Sequence, residues 1–282
     1  MNIYLTSFAD RRYKASLERI EKEAKYFPFA DIYLQSECDL PKDYLSDLHV
    51  NIYRRGYGYW KWKSYITKEI YNKKLKEGDI LLYIDAGVHL NANGVNRFYD
   101  YVDLLSNAKD TGILVFEQPF LEKDYSKGDI LVATNSYDNP DVTMSFQYWS
   151  GAFMLKKCKD ADIIVEKWYE MCHTNFGLIT DEKSHTPNLI GFIEHRHDQS
   201  ALSLIVKQYN HIKIQWNETQ ALDISNWDSY KTYPILARRT RFFEQSRKLR
   251  ICHYLNKPKC IIVGLYLKYV KGFYFKSFIP KY

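Results

Sequence analysis

The apolar positions at the start of the chain follow two alternating periods, and this alternation predicts a β-α-β beginning. Ile3–Ser7 is a short apolar run typical of a strand, and Ala9–Tyr26 follows with apolar residues at helical spacing. Phe29–Leu34 has the composition of a second strand. Strands that alternate with helices in this way indicate an α/β fold with a mainly parallel sheet.

The run Ile80–Ile84 consists only of apolar residues, and it predicts a strand buried on both faces. It ends at Asp85, which is followed at once by the small residues Ala86 and Gly87. In open α/β sheets, ligands bind outside the carboxyl ends of the strands. Asp85 is therefore well placed to hold a metal ion or a sugar hydroxyl, although the string alone also fits a turn in which Asp85 caps the next segment.

The same patterning continues through the rest of the chain. It predicts helices over Trp60–Leu75, Gly94–Leu105, Asp160–His173 and Asp198–Val206, and strands over Gly112–Glu117, Gln147–Leu155 and Ile212–Gln215. Residues 118–148 are polar and predict a long loop region with short helical pieces, and loops of this length usually bind something or move. No G-x-G-x-x-G turn follows the first strand, which argues against a dinucleotide-binding fold.

The segment Arg54–Lys63 alternates cations with aromatic rings around two glycines. Glycine permits close backbone approach, the rings offer flat faces, and Arg54, Arg55 and Lys63 offer positive charge. The pattern indicates a pocket wall that stacks on a ring and neutralises phosphate. The alternative is a helix start that simply buries its tryptophans.

A second charged group of residues lies where a helix is predicted to begin at Asp198. A carboxylate is favourable at a helix N-terminus, so Asp198 is either a helix cap or a site residue. His195, Arg196 and His197 come directly before it and favour a site. The short spacing of the two histidines, without a third ligand nearby, argues against structural zinc.

Composition narrows the class of protein. With 282 residues, 46% of them hydrophobic and 26% charged, the chain can bury one sizeable core. The net charge of +6 fits an anionic small substrate or membrane surface as well as nucleic acid, and the 25 tyrosines suit stacking on sugars or bases. Five cysteines without a C-x-x-C pair indicate reduced thiols. Since we find neither a signal peptide nor a bilayer-long apolar run, we expect a cytoplasmic protein.

The last residues have a composition of their own. Residues 261–282 alternate aromatic and lysine residues. This pattern fits a tail that packs on the domain and equally a segment that lies on an anionic membrane surface. We therefore predict a domain over residues 1–260 and a basic aromatic tail over 261–282, with peripheral contact at the inner face of the cell membrane if the tail binds lipid.

Three features occur in a particular order: the strand ending at Asp85, the Asp198-Gln199 pair at a helix start, and the late stretch His253–Lys259. This order is similar to that of nucleotide-sugar glycosyltransferases of the GT-A fold, in families 8 and 32. The segment Arg54–Lys63 resembles a stretch found upstream of the acidic motif in bacterial capsule and O-antigen transferases. The resemblance implies a Rossmann-like α/β domain with a mixed, mainly parallel sheet flanked by helices.

The resemblance also implies roles for individual residues. Asp198 and Gln199 would be catalytic, in contact with the transferred sugar. Because the reaction needs a carboxylate, and not because of the resemblance, Asp181 is the second candidate after Asp198. Contacts to the nucleotide sugar would come from Asp85, Ala86, Gly87, Arg55, Gly58, Trp60, Lys63, Arg196 and Lys257. The strand after the long loop would face the acceptor or the sugar with Gln147, Ser150 and Gly151.

A divalent metal, Mn²⁺ or Mg²⁺, would by the same resemblance be held by Asp85 and His253. Gly87, however, occupies the position of the second aspartate of the acidic motif, normally the main metal ligand. In the late stretch, Asn256 replaces a glycine and Lys259 replaces a tryptophan. The departure at Gly87 argues against metal dependence.

The predicted activity is that of a hexosyltransferase-type enzyme. It would move a sugar from a nucleotide-diphosphate donor, a UDP-sugar first of all, to a saccharide or lipid-linked acceptor in surface polysaccharide or lipopolysaccharide synthesis. This chemistry needs cations for the leaving diphosphate and a carboxylate near the anomeric carbon.

Two alternatives stay open at this point. A nucleotidyl- or phosphotransferase would need a second acidic ligand near Asp85. A non-enzymatic carbohydrate- or nucleic-acid-binding protein is suggested by the basic and aromatic runs. Against the latter, 34 acidic residues balance 40 basic ones and no nucleic-acid motif occurs, so no specific nucleic-acid partner is expected.

Overall fold

The strand predicted over Ile80–Ile84 lies near the middle of a six-stranded mixed sheet, in a computed structural model that describes residues 1–220 and 230–238. The strands are β1 (Ile3–Phe8), β2 (Asp31–Gln35), β3 (Ile80–Ile84), β4 (His89–Leu90), β5 (Ile113–Leu121), β6 (Phe146–Lys156), β7 (Ile212–Ile214) and β8 (Ile235–Leu236). The order in the large sheet is β2-β1-β3-β6-β5-β7, and β4 pairs with β8 separately.

Most neighbouring strands of the large sheet are parallel. The pairs β1–β2, β1–β3 and β5–β7 are parallel, whereas β6 runs antiparallel to both β3 and β5. The helices that flank the sheet are α1 (Lys14–Ala24), α2 (Lys42–Asp47), α3 (Gly56–Tyr59), α4 (Lys61–Lys74), α5 (Val95–Asn107), α6 (Glu122–Tyr125), α7 (Gly128–Ala133), α8 (Pro140–Thr143), α9 (Lys159–His173) and α10 (Asp198–Val206). The predicted mixed, mainly parallel sheet is confirmed.

The two faces of β3 belong to two different apolar cores, because successive side chains of a strand point to opposite sides. Leu81 and Tyr83 pack in one core with α4, α9 and α10. Ile80, Leu82 and Ile84 pack in the other core with α1 and α5. All five residues are fully buried, as the uniformly apolar run predicts.

The predicted elements recur with small shifts of their ends. The bounds of β3 and α10 are as predicted, and α9 begins one residue earlier than predicted, at Lys159. The polar region over residues 118–148 contains the end of β5, the three short helices α6, α7 and α8, and the start of β6. The predicted short helical pieces are thus confirmed, whereas the loop region is shorter than predicted, because β5 extends to Leu121 and β6 begins at Phe146.

The segment before α4 adopts an unusual backbone. Five consecutive residues have positive φ: Gly56 (56°), Tyr57 (55°), Gly58 (90°), Tyr59 (53°) and Trp60 (58°). The short helix α3 is therefore a left-handed turn. A left-handed conformation costs an L-residue about 1–2 kcal/mol, so the three aromatic residues hold this shape only because their surroundings impose it.

Tertiary contacts hold the left-handed turn in place. The Trp62 indole donates to the carbonyl oxygen of Gly56 at 3.0 Å, and the Trp62 ring packs 4.2 Å from that of Phe8. Trp60 is only half-buried, and its ring stacks on that of His197 at 5.3 Å. One tryptophan is therefore buried in the core, while the other contacts the segment that precedes α10.

Several predictions concern residues outside the described ranges. They include His253, Lys257, the domain boundary at residue 260 and the tail over 261–282. Within residues 1–220 and 230–238, none of the helices combines the length and the apolar character that crossing a membrane requires.

Substitution of Gly58 tests the left-handed turn. A Cβ at Gly58, where φ is +90°, would lie 3.0 Å from the carbonyl oxygen of Leu48, whereas a Cβ at Gly78, where φ is +82°, meets nothing within 4 Å. We expect Gly78→Ala to lower the free energy of unfolding by about 1 kcal/mol and Gly58→Ala by about 2–4 kcal/mol. Urea unfolding measures both. Equal losses would mean that the approach of Leu48 is unimportant.

Candidate active site

The site lies at the carboxyl end of β3, where the turn of Asp85 begins. The backbone N–H of Asp85 donates to the carbonyl oxygen of Gly151 at 2.8 Å, which ties the turn to β6. Its carboxylate accepts a hydrogen bond from the Tyr83 hydroxyl at 2.8 Å and is 34% exposed. The side chain of Asp85 therefore has a polar partner inside the protein and still reaches solvent.

Lys63 connects this turn to α10. Its Nζ lies 3.0 Å from Oδ1 of Asp85 and 3.0 Å from Oδ2 of Asp198, and it donates to the Ser150 hydroxyl at 3.2 Å. Only 2% of the Lys63 side chain is exposed. One buried ammonium thus brings together residues of α4, β6, α10 and the turn after β3 that are far apart in sequence.

Burial and charge act against each other in this cluster. Burial disfavours the ammonium of Lys63, but the charges of Asp198 and Asp85 outweigh it and raise the pKa of Lys63. Burial raises the pKa of Asp198, and the nearby charge of Asp85 adds to this effect, while Lys63 and Ser150 oppose it. Lys63 is therefore charged at neutral pH, and its positive charge offsets the repulsion between the two neighbouring carboxylates.

Asp198 is not the cap of its helix. His197 occupies the N-cap position of α10, with φ 54° and ψ −124°, and the carboxylate of Asp198 turns to Lys63 instead. The next residue, Gln199, donates from its Nε2 to Oε1 of Gln147 at 2.8 Å. Since Gln147 is fully buried, it lies behind Gln199 and supports it.

Arg55 and Asp181 form a second, more exposed pair. Nη1 of Arg55 lies 3.0 and 2.9 Å from the two carboxylate oxygens of Asp181, and the Tyr59 hydroxyl donates to the same carboxylate at 3.1 Å. Both charged side chains are more than 40% exposed. The structure therefore brings Asp181 together with Arg55, while Asp198 contacts Lys63.

His197 lies between these two groups of charges. Burial, together with the charge of Arg55, lowers the pKa of His197 to about 4, so its ring is neutral at neutral pH. Its Nδ1 donates to the carbonyl oxygen of Ile179 at 2.8 Å, and its Nε2 lies 3.7 Å from Oδ1 of Asp181. The ring also stacks on Trp60, which links the strained residues before α4 and α10.

The guanidinium of Arg196 contacts two aromatic rings and Glu194. Its guanidinium lies over the rings of Phe120 and Tyr125, at 4.6 and 4.9 Å, and 3.1 Å from a carboxylate oxygen of Glu194. Burial lowers the pKa of Arg196 against the attraction of Glu194. The structure does not bring Arg196 into contact with the cluster around Lys63.

Three small residues line the turn, and each does something different. Gly151 has no room for a side chain, because a Cβ there would lie 2.3 Å from the indole of Trp149. The carbonyl oxygen of Ala86 accepts a hydrogen bond from Arg19 at 2.7 Å. Gly87 offers only its backbone.

Two residues near the site carry no signal in the sequence pattern. Arg19, which contacts the Ala86 carbonyl, lies on the amphipathic helix α1, where an arginine is ordinarily solvated. Glu122 is fully buried and donors surround its carboxylate, yet it stands in a polar stretch that predicts a loop. Burial of a charged residue depends on tertiary packing, so neither residue could be singled out from its neighbours in sequence.

One of the two predicted metal ligands, Asp85, lies in the described part of the chain, where its carboxylate contacts Lys63. In the described ranges, no group of three or more His, Cys, Asp or Glu residues stands close enough together to bind a metal ion. The two carboxylates at the site already share the ammonium of Lys63. The other predicted metal ligand, His253, lies outside the described residues.

No family model and no curated protein matches the sequence. Among solved structures, the chain is similar to a glycosyltransferase involved in the glycosylation of the major capsid of PBCV-1, with 12% identity over 90% of this chain and 98% of that one and a TM-score of 0.47. It is also similar to mouse xyloside xylosyltransferase 1, with 9% identity over 83% and 93% of the two chains and a TM-score of 0.45.

A third similar structure is the glycosyltransferase GlyE of Streptococcus pneumoniae TIGR4, with 12% identity over 95% of this chain and 64% of that one and a TM-score of 0.47. The three similar proteins are all glycosyltransferases.

Replacing Lys63 by methionine tests the buried cluster. Without the ammonium, the buried carboxylate of Asp198 keeps Asp85 as a neighbour and loses its counter-charge, and we expect the free energy of unfolding at neutral pH to fall by about 3–5 kcal/mol. The raised pKa of Asp198 will rise further. Because protonation removes the unpaired charge, the difference from wild type should shrink as the pH falls through that pKa. Urea unfolding at neutral and mildly acidic pH measures this.

Lys68→Met is the matched control on the same helix. Lys68 pairs with Glu166 at 2.7 Å, and the two side chains are 23% and 47% exposed. Such a surface pair contributes at most about 1 kcal/mol, so this variant should stay close to wild type at every pH. A Lys63→Met loss that is as small, or that does not change with pH, would contradict the account of the cluster.

Proposed function

We propose that this protein is a GT-A-type glycosyltransferase that moves a sugar from a nucleotide-diphosphate donor to an acceptor hydroxyl. The observation that carries the proposal is the contact of Lys63 with both Asp85 and Asp198 at the carboxyl end of β3. These are residues of three segments that resemble, in the same order, motifs of nucleotide-sugar glycosyltransferases. The carboxyl edge of an α/β sheet is also where such folds bind their ligands.

The buried carboxylate suits the reacting sugar. In glycosyl transfer, the bond from the anomeric carbon to the diphosphate oxygen breaks, and its electron pair leaves with the phosphate. The acceptor oxygen forms the new bond, and positive charge develops on the anomeric carbon on the way. The carboxylate of Asp198 is shielded from water, so in its ionised form it attracts that charge more strongly than it would in solvent.

Two routes are open to the proton of the acceptor hydroxyl. In an inverting reaction, Asp198 takes the proton as general base, a role that its raised pKa favours. In a retaining reaction, the leaving phosphate takes it, and Asp198 acts only through its charge. The anomeric configuration of the product, read by NMR, distinguishes the two routes.

The diphosphate requires positive charge at the open side of the site. Arg55 is the candidate among the described residues, since its side chain is 45% exposed and its partner Asp181 is equally accessible. Lys257, by resemblance, would add a second cation. We propose UDP as the nucleotide, by resemblance to family 8 enzymes.

The acceptor and the pathway belong to the same proposal. We propose a saccharide or lipid-linked acceptor in surface polysaccharide or lipopolysaccharide synthesis. The tail over residues 261–282 would then hold the enzyme at the inner face of an anionic membrane, close to a lipid-linked acceptor.

A donor panel tests the proposal. Thermal shift with UDP-, GDP- and CMP-sugars should identify one nucleotide that raises Tm, since a ligand that binds only the folded state stabilises it. Donor hydrolysis and transfer to acceptor sugars are then assayed with that nucleotide. We expect Asp198→Asn to lower kcat by about 10²-fold or more and Asp85→Asn to raise the donor KM.

Glu69→Gln is the control for these carboxylate changes. Glu69 forms an exposed ion pair with Lys73 on α4, on the same helix as Lys63. Its replacement should leave kcat and KM as in wild type. If no nucleotide sugar raises Tm, and Asp198→Asn behaves like Glu69→Gln in every assay, the proposal is wrong. A steep salt dependence of binding to generic nucleic acid would instead favour a nucleic-acid-binding protein.

A chelator tests the role of a metal. Because Lys63 holds both carboxylates and Gly87 provides no side-chain ligand, we expect the Tm shift caused by the nucleotide to persist in EDTA. If the shift disappears in EDTA and returns with Mn²⁺, a metal is required, and residues beyond the described ranges, such as His253, must complete its ligands. Titration of Mn²⁺ followed by calorimetry, without nucleotide, gives a second readout that does not depend on activity.

A further inference from the structure

A chain of buried hydrogen bonds leads from Glu122 towards α10. Glu122 is fully buried, and its two carboxylate oxygens serve different partners. Oε1 accepts hydrogen bonds from the Ser203 hydroxyl and from the Lys207 ammonium, the latter at 2.7 Å. Oε2 accepts from the Ser126 hydroxyl at 2.7 Å and from Nε2 of Gln147 at 3.1 Å. Gln147 and Lys207 therefore contact different oxygens of the Glu122 carboxylate.

The orientation of the Gln147 amide follows from its neighbours. One terminal atom lies 3.1 Å from each of Oε2 of Glu122, Oγ of Ser126 and Oγ of Ser200. The carboxylate can only accept. The Ser126 hydroxyl already donates to Glu122, and the Ser200 hydroxyl donates to the carbonyl oxygen of Tyr125 at 2.9 Å. Three acceptors surround this atom, so it must be the NH2 group.

This orientation determines that of Gln199. With its NH2 group engaged, Gln147 turns its oxygen to Gln199, which must donate its own NH2 group, at 2.8 Å. The oxygen of Gln199 is left over and accepts no hydrogen bond from any described residue. Gln199 stands next to Asp198, whose carboxylate contacts Lys63. The side-chain oxygen of Gln199 therefore lies on the residue that directly follows Asp198, a member of the buried cluster with Lys63 and Asp85.

We propose that Glu122 and Gln147 are positioning residues that hold the carboxamide of Gln199 with its oxygen, and not its NH2 group, towards the transferred sugar. This inference rests on the proposed function. Positive charge develops on the anomeric carbon during glycosyl transfer. The oxygen end of an amide dipole stabilises that charge, whereas the NH2 end opposes it. The hydrogen-bonded chain Glu122–Gln147–Gln199, which we call the relay, thus determines which end of the Gln199 amide dipole the sugar meets.

Burial prevents the amide of Gln147 from turning over. An exposed glutamine can turn its amide over at little cost because water serves either end. Here a reversed Gln147 would place its oxygen against three acceptors and its NH2 group against the NH2 group of Gln199, with no water to compensate. The carboxylate of Glu122 is the group that excludes this alternative, because both of its oxygens accept hydrogen bonds and Lys207 pairs with it.

Glu122→Gln reverses the relay by design. Lys207 and Ser203 both donate to the position of Oε1, so the new amide places its oxygen there and its NH2 group towards Gln147. Gln147 then turns its oxygen to residue 122 and its NH2 group to Gln199. Gln199 accepts with its oxygen and presents NH2 to the sugar. We expect kcat to fall by about 10²-fold, while KM for the donor changes by no more than about twofold.

A double-mutant cycle separates positioning from a general effect on the fold. Gln199→Ala removes the group that the relay orients. In that background, Glu122→Gln should change kcat by no more than about twofold, because nothing remains to be turned over. A fall of the same size in both backgrounds would overturn the inference.

Ser203→Ala is the matched control at the same carboxylate. It removes a donor from the oxygen that faces away from Gln147, so it should lower Tm while leaving kcat within about twofold of wild type. A loss of kcat as large as that of Glu122→Gln would show that any disturbance of Glu122 has this effect, and it would also overturn the inference.

A second variant covers the case in which Glu122→Gln does not fold. Gln147→Met keeps the volume of the side chain but releases the amide of Gln199. It should lower kcat in the wild-type background and not in the Gln199→Ala background, and an equal loss in both would count against the relay. Failure of the proposed function is distinguishable, because the wild-type protein would then neither bind nor turn over any nucleotide sugar.

Discussion

The buried charge of Lys63 is the constraint on which the rest of the site depends. An ammonium that is 2% exposed requires compensation within the protein, and Asp85 and Asp198 provide it at 3.0 Å each. The two carboxylates would repel each other without the ammonium between them. The ammonium therefore needs the carboxylates, and each carboxylate needs the ammonium, and these contacts join α4, the end of β3 and α10.

Backbone strain lies directly beside these charges. Trp60, just before α4, and His197, just before α10, both have positive φ, and their rings stack on each other at 5.3 Å. Strained residues of this kind cost on the order of 1–3 kcal/mol each and persist only where the surroundings dictate their conformation. The ion pair of Lys63 with Asp198, which joins α4 to α10, and the stacking of Trp60 on His197 are surroundings of this kind.

The fold could be predicted from the sequence to a large extent, and the site only in part. Uniformly apolar β3 and the amphipathic helices are local patterns, so their bounds were predictable within a few residues. The meeting of Asp85, Lys63 and Asp198 was predictable only as a resemblance of motifs in order. Gly56 and Gly58 permit the left-handed turn before α4. Neither the positive φ of the aromatic residues in that turn nor the burial of Glu122 has a local signal, since both result from contacts between distant segments.

The charges of Lys63, Asp85 and Asp198 determine which part of the proposed donor the buried cluster can stabilise. When both carboxylates are ionised, two negative charges face one ammonium, which leaves an excess of one negative charge in the buried cluster. Such a cluster favours positive charge on a sugar and disfavours a diphosphate. The leaving group therefore needs cations at the open side of the site, where Arg55 is accessible but neutralised by Asp181. Donor binding would have to loosen that exposed pair, which is weak in solvent, and would leave the buried cluster intact.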